Sequence, residues 1–424
     1  MQGAHPGIAS GRIASELVNE NNNLNPELTS IGEGPRVQKP APRTHLSRLV
    51  VTHFRSYERA ALALDGRPVV LTGANGAGKT NLLEAVSLLS PGRGLRGQPF
   101  ADLAYRASSE TEARHGWAVA ATLVSDGEDT AIGTGQEPSP GEAQRARIVR
   151  IDGETQSGAG VLAEYVRVVW LTPAQDRLFV EAAGGRRRFL DRLVMGFDPS
   201  HGTRANAFEK ALRERNKLLA EDVRDAMWYA AIEEQIAEYG VAMAAARVEI
   251  IARLKGAIAA APDNAFPKAS LALEGELEAA LSAGEPAIDV EDRYRAKLAE
   301  MRSRDRGAGR TLDGPHRSDL LVRHAPKDME AEACSTGEQK ALLLGLMLAN
   351  TKLLGLSVRR PPLLLLDEVA AHLDKDRRAA LFDELCAMHI QAWMTGTDAS
   401  LFSTLGDRAQ HFHIGDHRAE PAPL

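Results

Sequence analysis

Eight consecutive residues have the types and spacing that bind phosphate groups. Residues 73–80 read Gly-Ala-Asn-Gly-Ala-Gly-Lys-Thr and fit the pattern G-x-x-x-x-G-K-[ST]. Glycines let backbone N–H groups turn toward an anion, the lysine can reach terminal phosphates, and the threonine hydroxyl can bind Mg²⁺. The residues predicted to bind a nucleotide here are Gly73, Ala74, Asn75, Gly76, Ala77, Gly78, Lys79, Thr80 and Asn81.

The flanking residues predict the elements that hold this loop. Residues 69–72 are a short, apolar, β-branched run that predicts a buried strand. Residues 81–89 carry leucines and a valine at helical spacing. A strand, a glycine loop and a helix N-terminus together bind phosphate, because the helix dipole favours an anion. The alternative is a glycine-rich turn that binds nothing, which the matching context disfavours.

A second acidic motif follows four leucines at residues 363–366. The apolar run predicts a buried strand ending in Asp367 and Glu368. Asp367 is expected to hold Mg²⁺ directly or through water, and Glu368 to polarise the attacking water as a general base beside the catalytic Lys79. An ordinary buried strand with an acidic helix cap is the alternative, and the P-loop in the same chain argues against it.

A serine and a glycine at the start of a predicted helix could form another anion site. Ser335 and Gly337, followed by Glu338 and Gln339, are similar to the ABC signature S-x-G-Q/E. A serine hydroxyl, a glycine N–H and the helix dipole all favour an anion. A serine that only caps the helix would account for the same residues locally. The order of P-loop, signature and acidic strand favours the functional interpretation.

These motifs together resemble the ABC-type ATPase heads of the SMC-like class. In that class two heads enclose two ATP molecules, and each signature acts in trans on the partner's nucleotide. The resemblance makes Leu373 and Asp374 the candidate D-loop. Gln175 is the candidate Q-loop residue, reaching metal or water, with Asp176 as a near alternative.

Composition and charge restrict the class of protein further. The 424 residues suggest two or three domains, and 44% hydrophobic residues allow a large core. Two cysteines, no secretory signal and no apolar run of membrane-spanning length predict a cytoplasmic protein. The net charge of −6 gives no overall attraction to nucleic acid, so DNA binding needs a local basic patch.

The order of predicted elements indicates an α/β fold, an ABC-type P-loop ATPase head with a mixed sheet, helices and an inserted, mainly helical second lobe. We expect strands at 46–54, 117–124, 146–151 and 166–171, with a Gly/Pro-rich excursion at 133–141. Residues 175–261 are Ala-rich and helical, and Trp228, Ile232, Ile236 and Met243 begin their predicted core stripe. Residues 320–322, 391–395 and 411–414 predict the remaining strands.

The predicted domains follow from this order. Residues 1–44 are expected to be a disordered N-terminal tail, rich in asparagine and proline. Lobe I, the ATPase lobe, comprises residues 45–175 and 308–415. Lobe II, the helical lobe, comprises residues 176–307, and residues 416–424 form a C-terminal tail.

Within the SMC-like class the chain resembles the RecF family of bacterial recombination mediators, over about residues 45–415. Residues 80–334 are too long an insertion for a transporter ATPase and lack the heptads of a full SMC protein. The similarity rests on stretches beyond the ATPase motifs, which are residues 54–57 (Phe-Arg-Ser-Tyr), 92–96 (Gly-Arg-Gly-Leu-Arg), 185–191, 213–218 and 313–320. We also place Arg55 and Ser56 among the candidate nucleotide-binding residues.

The resemblance implies a DNA-stimulated, weak ATPase that uses ATP and Mg²⁺. It implies a homodimer that forms on ATP binding, binds duplex and gapped DNA, and is reset by slow hydrolysis. It implies RecR as partner, with RecO and RecA in the pathway, and roles in gap repair, replication-fork maintenance and the SOS response. Alternatives are another SMC-like or overcoming-lysogenization-defect ATPase that powers a nuclease, or a DNA scaffold that does not hydrolyse ATP. The short C-terminal region argues against the nuclease, and Glu368 against the scaffold.

Two positions depart from the family pattern. Cys334 stands where the signature usually has leucine, and residues 393–398 (Trp-Met-Thr-Gly-Thr-Asp) contain no switch histidine. Thr395 or Thr397 is therefore the candidate to sense the γ-phosphate.

Two arginine-rich clusters are candidates for DNA contact. One comprises Arg186, Arg187, Arg188 and Arg192. The other comprises Arg293, Arg295, Lys297, Arg302, Arg304, Arg306 and Arg310. We favour the second, with Arg302, Arg304, Arg306 and Arg310 contacting phosphates rather than bases, because acids and aromatic residues are scarce there. A solvated charged face is the alternative for both clusters.

Overall fold

The computed structural model describes residues 44–105, 116–138, 146–358 and 360–422. The predicted tail, apart from Thr44, lies outside the described residues. The chain divides into two compact units. The first comprises the described residues up to Trp170, Arg360–Ala371 and Phe382 onward, and the second comprises Leu171–Arg359 and His372–Leu381. Residues 308–359 thus belong to the second unit, whereas the sequence placed them in the ATPase lobe. The lobe assignment itself stays a prediction.

The strands and helices of the described residues are numbered here in chain order. The strands are β1 (Thr44–Phe54), β2 (Tyr57–Ala63), β3 (Val69–Thr72), β4 (Trp117–Ser125), β5 (Glu128–Gln136), β6 (Ile148–Ile151), β7 (Glu154–Thr155), β8 (Val168–Leu171), β9 (Ala269–Glu274), β10 (Asp319–His324), β11 (Met329–Glu330), β12 (Leu363–Leu366), β13 (Ala392–Gly396), β14 (Gln410–Gly415) and β15 (Arg418–Pro421). The helices are α1 (Lys79–Ser87), α2 (Leu162–Tyr165), α3 (Ala183–Phe197), α4 (His201–Ala220), α5 (Ala226–Ala260), α6 (Glu276–Ser282), α7 (Ala287–Glu300), α8 (Arg302–Ala308), α9 (Thr336–Ser357) and α10 (Lys375–Ala387).

A mixed six-stranded sheet in the first unit carries the P-loop. Its strand order is β15-β14-β3-β13-β12-β8. The P-loop strand β3 pairs in parallel with β13 on one side and β14 on the other. All four residues of β3 and of β12 are buried, which is why both read as continuous apolar runs rather than alternating ones. β15 was not predicted. It pairs antiparallel with β14 through Asp416 and His417, which both have positive φ as two-residue hairpin turns require.

A second six-stranded sheet has the order β2-β1-β4-β5-β6-β7 and is antiparallel throughout. Here the predicted Gly/Pro-rich excursion is wrong for its first residues, because Gly133 and Gly135 lie within β5. A side chain at Gly135 would lie 2.4 Å from the Trp117 carbonyl oxygen of β4. The glycine therefore permits close strand approach rather than a turn. Side chains from both sheets and from α1 share one core, which includes Leu49, Leu71 and Leu82.

The second unit contains long helices and a small sheet of order β11-β10-β9. β9 was not predicted; it pairs antiparallel with β10. The predicted core stripe of α5 is confirmed at Ile236 and Met243, which are buried. It is wrong at Trp228, which is 61% exposed. The buried face in this part of the helix instead contains Tyr229 and Glu233. Because glutamate is charged, this face does not show up as an apolar stripe in the sequence.

One helix of the described chain, α9, has the length and hydropathy of a membrane span. In this fold 56% of its most apolar window is buried inside the protein, as in a core helix.

Candidate nucleotide site

Three glycines of the P-loop have backbone conformations that other residues rarely adopt. The φ angles are +150° at Gly73, +82° at Gly76 and +111° at Gly78. At Gly73 a Cβ atom would also lie 2.2 Å from the carbonyl oxygen of Ile414 in β14. At Gly76 a Cβ would meet nothing within 4 Å. The first glycine thus allows contact with the neighbouring strand, while the second leaves the loop open for a ligand.

Lys79 is the first residue of α1, and its side chain folds back over the loop. Its Nζ donates hydrogen bonds to the carbonyl oxygens of Gly73 and Ala74, each at 2.8 Å. Burial lowers the pKa of Lys79, while the carboxylates of Glu368 and Asp367 act in the opposite direction. Lys79 is 4% exposed. Because the partners of its ammonium group are neutral carbonyls, the positive charge remains able to attract phosphate.

The threonine after this lysine contacts the predicted metal carboxylate directly. Thr80 Oγ1 lies 2.9 and 3.2 Å from the two carboxylate oxygens of Asp367. On the other side, Thr395 of β13 donates to Asp367 Oδ1 at 2.8 Å and accepts from the backbone N–H of Glu368 at 2.8 Å. Glu368 has a φ of +53°, a strained conformation for a residue that is not glycine. One hydroxyl thus fixes both predicted acidic residues.

These residues fit Mg²⁺ and a nucleotide. A hydroxyl and a carboxylate within hydrogen-bond distance supply the hard oxygen ligands that Mg²⁺ prefers, and phosphate oxygens usually supply others. Within the described residues no three His, Cys, Asp or Glu side chains form a metal cluster. A cation here would therefore depend on the phosphates for further ligands, as in P-loop proteins.

The two candidates that precede β2 have different surroundings. Ser56 Oγ accepts a hydrogen bond from Asn81 Nδ2 at 2.8 Å, which places it beside the start of α1. Arg55 is instead bound to the buried carboxylate of Glu84 through two hydrogen bonds of 2.8 Å. Arg96 also binds Glu84 and reaches Asn81 Oδ1 at 2.8 Å. The structure therefore gives Arg55 a structural partner on α1, and its contact with nucleotide stays a prediction. The sequence signal for a buried, paired carboxylate at Glu84 was its position as a charged residue on the apolar face of α1.

The signature residues begin α9. Glu338 Oε2 accepts hydrogen bonds from the Ser335 N–H at 3.0 Å and from its hydroxyl at 2.9 Å, and Lys327 pairs with the same carboxylate. The Lys327 contact and the Ser335 hydrogen bonds hold the pKa of Glu338 at about 2. Gly337 is exposed with open space above it. Gln339 is buried and donates to the carbonyls of Glu332 and Cys334, so it supports the turn. Ser335 and Gly337 thus lie on an exposed helix start that Ser335 and Glu338 cap, and their contact with an anion stays a prediction.

The remaining site candidates lie in the second unit. Gln175 Oε1 accepts from the N–H of Thr172 at 3.0 Å, and its buried Nε2 has no partner among the described residues. Asp176 pairs with Lys340 at 2.8 Å. In the candidate D-loop Leu373 is buried, and Asp374 caps the start of α10 by accepting from the Arg377 N–H at 2.8 Å. Metal binding by Gln175 and a D-loop role for Leu373 and Asp374 stay predictions.

The favoured DNA cluster is largely neutralised. Arg302 pairs with the buried Glu233 and lies 4.8 Å from the centre of the Tyr229 ring, and Arg306 lies 3.2 Å from Asp222. These two do not fit the predicted patch of free cations. The other paired residues of the cluster are Arg293 with Glu285, Arg295 with Asp292, and Lys297 with Glu276. Arg304 and Arg310 are exposed and make no ion pair with the described residues, so their DNA contact stays a prediction.

The chain is similar to known proteins over most of its length. The family model described as the RecF/RecN/SMC N terminal domain matches residues 45–410. The protein "DNA replication and repair protein RecF" of Rhizobium johnstonii is 54% identical over 377 residues, which are 89% of this chain and 98% of that relative. The protein of the same name from Mesorhizobium japonicum is 55% identical over 378 residues, 88% of this chain and 97% of that relative.

Among solved structures, that of the recombination mediator protein RecF-ATPrS in the RecFOR pathway has a TM-score of 0.76 at 22% identity, covering 90% of this chain and 98% of that one. An Smc head domain from Pyrococcus furiosus gives 0.51 at 17% identity, covering 90% and 96%.

The P-loop, the acidic strand end and these folds define an ABC-type ATPase head of the SMC-like class, as predicted. The sequence relatives are more specific. The chain belongs to the RecF family.

Proposed function

We propose that this protein is an ATP-dependent, DNA-binding recombination mediator that hydrolyses ATP slowly. The observation that carries the proposal is the contact of Thr80 with Asp367 beside the buried, carbonyl-held Lys79. A hydroxyl, a carboxylate and an ammonium group converge there, as binding of Mg²⁺ and nucleotide phosphates requires. The names of the relatives supply the repair context.

Each residue has a defined task in this proposal. The loop N–H groups and Lys79 bind the phosphates, and Thr80 with Asp367 holds the cation, which when bound neutralises phosphate charge. Glu368 accepts the proton of the attacking water. Thr395 holds Glu368 and Asp367 in place through its two hydrogen bonds.

The proposal includes a homodimer that ATP holds together. Ser335 and Gly337 of a second copy complete the anion site from an exposed helix start, where Glu338 of the same helix also binds Ser335. ATP then binds the dimer in preference to the monomer and stabilises it by mass action. DNA stimulates the ATPase, and hydrolysis releases the dimer from duplex or gapped DNA. We further propose a cytoplasmic protein that acts with RecR, RecO and RecA in gap repair, at replication forks and in the SOS response.

Substitution of Glu368 by glutamine tests hydrolysis as the release step. Glutamine keeps the size of the side chain but cannot take the proton, and loss of a general base costs about 10²–10⁴-fold in rate. We expect the variant to bind ATP and to leave DNA more slowly than wild type after addition of competitor DNA. Equal dissociation rates in ATP would reject hydrolysis as the reset and favour a DNA scaffold.

Two control variants separate ATP binding from dimerisation. Lys79→Ala should abolish nucleotide binding in calorimetry, since it removes the charge at the phosphates. Ser335→Arg should keep ATP binding by the monomer and prevent the ATP-dependent dimer in light scattering. Ser303→Arg, at an exposed position of α8, is the matched control and should dimerise. A normal dimer with Ser335→Arg would exclude the signature assignment.

A further inference from the structure

Two stretches on which the sequence resemblance rests, residues 185–191 and 313–320, lie against each other in the second unit. Arg186 on α3 binds both carboxylate oxygens of Asp319 on β10, at 2.8 and 2.6 Å. Arg187 donates to the Ser318 carbonyl oxygen at 2.7 Å. The ATPase chemistry proposed above uses neither stretch.

Among the described residues, no carboxylate is bound to three arginines at this contact. Arg187 has only the neutral Ser318 carbonyl as hydrogen-bond partner. Arg188 and Arg317 are exposed and make no ion pair with the described residues. Most arginines of the other cluster are paired, so this small group is a stronger candidate for an external anion.

Two of these guanidinium groups border the same small space. A methyl group at Gly184 would lie 3.5 Å from Arg188 Nη1 and 3.6 Å from Arg187 Nη2. Like charges that border one space repel each other, and an anion between them relieves the repulsion. Each of the two also repels or is repelled by other arginines of this region. Burial and then Arg188 lower the pKa of Arg192 to about 10, and burial, Arg247 and Arg317 lower the pKa of Arg187.

Two carboxylates near the three arginines are already paired with other cations. Asp319 is bound by Arg186, and Asp191 is bound by Arg247 and His201. These two carboxylates partly oppose the repulsion at Arg187. Two exposed carboxylates remain nearby: Glu181 lies 3.8 Å from a methyl group placed at Gly185, and Glu332 raises the pKa of Arg186. The local balance therefore remains cationic in a chain whose net charge is −6.

The backbone below the arginines adds no competing anion. α3 has 15 residues, its N-cap residue Ala182 has no side-chain oxygen to cap it, and its first turn contains no acidic residue. The helix dipole thus favours the same anion that the arginines attract.

We propose that Arg187, Arg188 and Arg317, named here the α3 arginine surface, bind backbone phosphates of DNA. This inference rests on the proposed function, which named no residues that contact DNA, and it supplies them. Planar guanidinium groups match phosphate oxygens, and a polyanion with repeated phosphates can occupy the space over Gly184 and reach Arg317 as well. The contacts read the backbone and carry no base specificity.

The test is the salt dependence of binding to a fluorescent duplex in the presence of ATP. The variant Arg188→Ala with Arg317→Ala loses no ion pair of the fold. We expect the slope of log affinity against log salt to flatten by about 0.9 for each lost phosphate contact. Lysine at both positions should restore most of the slope, since lysine still supplies a point charge. Glu181→Gln should strengthen binding.

The matched control removes two cations elsewhere in the same unit. Arg213 and Lys217 on α4 are 69% and 72% exposed in solvated pairs, and their double alanine variant should keep the wild-type slope. The Arg188/Arg317 variant should also keep wild-type ATP affinity. A parallel loss of ATP affinity would assign the surface to nucleotide phosphate and overturn the inference.

The two levels of proposal fail differently. An unchanged slope in the Arg188/Arg317 variant, beside normal DNA binding by wild type, overturns the α3 arginine surface alone. It would also be the result if this surface served an acidic protein. No ATP-dependent DNA binding by wild type overturns the proposed function, and this inference with it.

Discussion

Replacement of Thr395 by valine tests how the two acidic residues after β12 are held. The Thr395 side chain is 1% exposed and lies on β13, next to β12 in the sheet. Valine has nearly the same shape but no hydroxyl. The change therefore removes two hydrogen bonds of 2.8 Å, one to Asp367 Oδ1 and one from the Glu368 N–H, while it leaves the packing intact.

The expected loss of stability follows from the groups left without a partner. A buried polar group that loses its partner costs about 1–3 kcal/mol. Asp367 keeps Thr80 as a hydrogen-bond partner, so the stability lost at Asp367 should lie near the lower end of this range. The losses at Asp367 and at the Glu368 N–H together should be about 2–4 kcal/mol. Hydrolysis should fall as well, because the N–H that anchors Glu368 in its strained conformation is no longer bound.

Urea unfolding without nucleotide, followed by tryptophan fluorescence, measures the first effect. Trp393, fully buried two residues before Thr395, is one of the four tryptophans whose fluorescence follows unfolding. Thr395→Ser keeps the hydroxyl and should cost about 1 kcal/mol for the lost methyl. Thr397→Val, at an exposed neighbour, should change stability by less than about 0.5 kcal/mol. A Thr395→Val protein as stable as wild type would refute the reasoning, as would equal losses at positions 395 and 397.

Three further predictions concern stability. Gly73→Ala should prevent folding of the first unit or lower its melting temperature strongly, because the new Cβ collides with the Ile414 carbonyl oxygen. Gly76→Ala has open space around the new Cβ and should cost only about 1–3 kcal/mol of backbone strain. Arg302→Ala should lower the free energy of unfolding by about 1–3 kcal/mol, because it removes a partner of the buried Glu233. Arg304→Ala is the control and should leave stability unchanged. Similar urea midpoints for the two variants would contradict this. The pKa of Glu338 is lowered from 4.5 to about 2, so its contacts stabilise the fold above pH 4.5 and are lost as pH falls toward 2; the melting temperature of Glu338→Gln should depend less on pH in that window.

The elements around the P-loop could be predicted from the sequence because their signals are local. The bounds of β3 agree with the prediction, and α1 and β12 lie where the apolar runs placed them. Residue type was enough to propose both Thr80 and Asp367 as Mg²⁺ ligands, since a hydroxyl and a carboxylate both supply hard oxygen atoms. The role of Thr395 as the hydroxyl that joins Asp367 to Glu368 depends on the pairing of β12 with β13, which no local pattern contains.

The sequence failed where a residue's partner lies far along the chain. Gly135 suggests a turn until the Trp117 carbonyl of β4 is seen beside it. Arg302 is an ordinary solvated cation in a one-dimensional pattern, yet Glu233 on α5 binds it. Trp228 fits an apolar stripe, but the helix buries Tyr229 and Glu233 instead. In each case tertiary contacts decided between two locally reasonable alternatives.

The position of β3 between β13 and β14 has a consequence for protein synthesis. The ribosome makes the P-loop early, but both flanking strands come from residues 392–415, after the whole second unit has been translated. A nascent chain that ends before residue 392 contains every P-loop residue but lacks both neighbours of β3 and the Ile414 carbonyl that packs on Gly73. Such distant pairing also makes folding slow. Premature termination upstream of β13 should therefore yield products that cannot form the nucleotide pocket, so truncated chains would not compete with the finished protein for ATP.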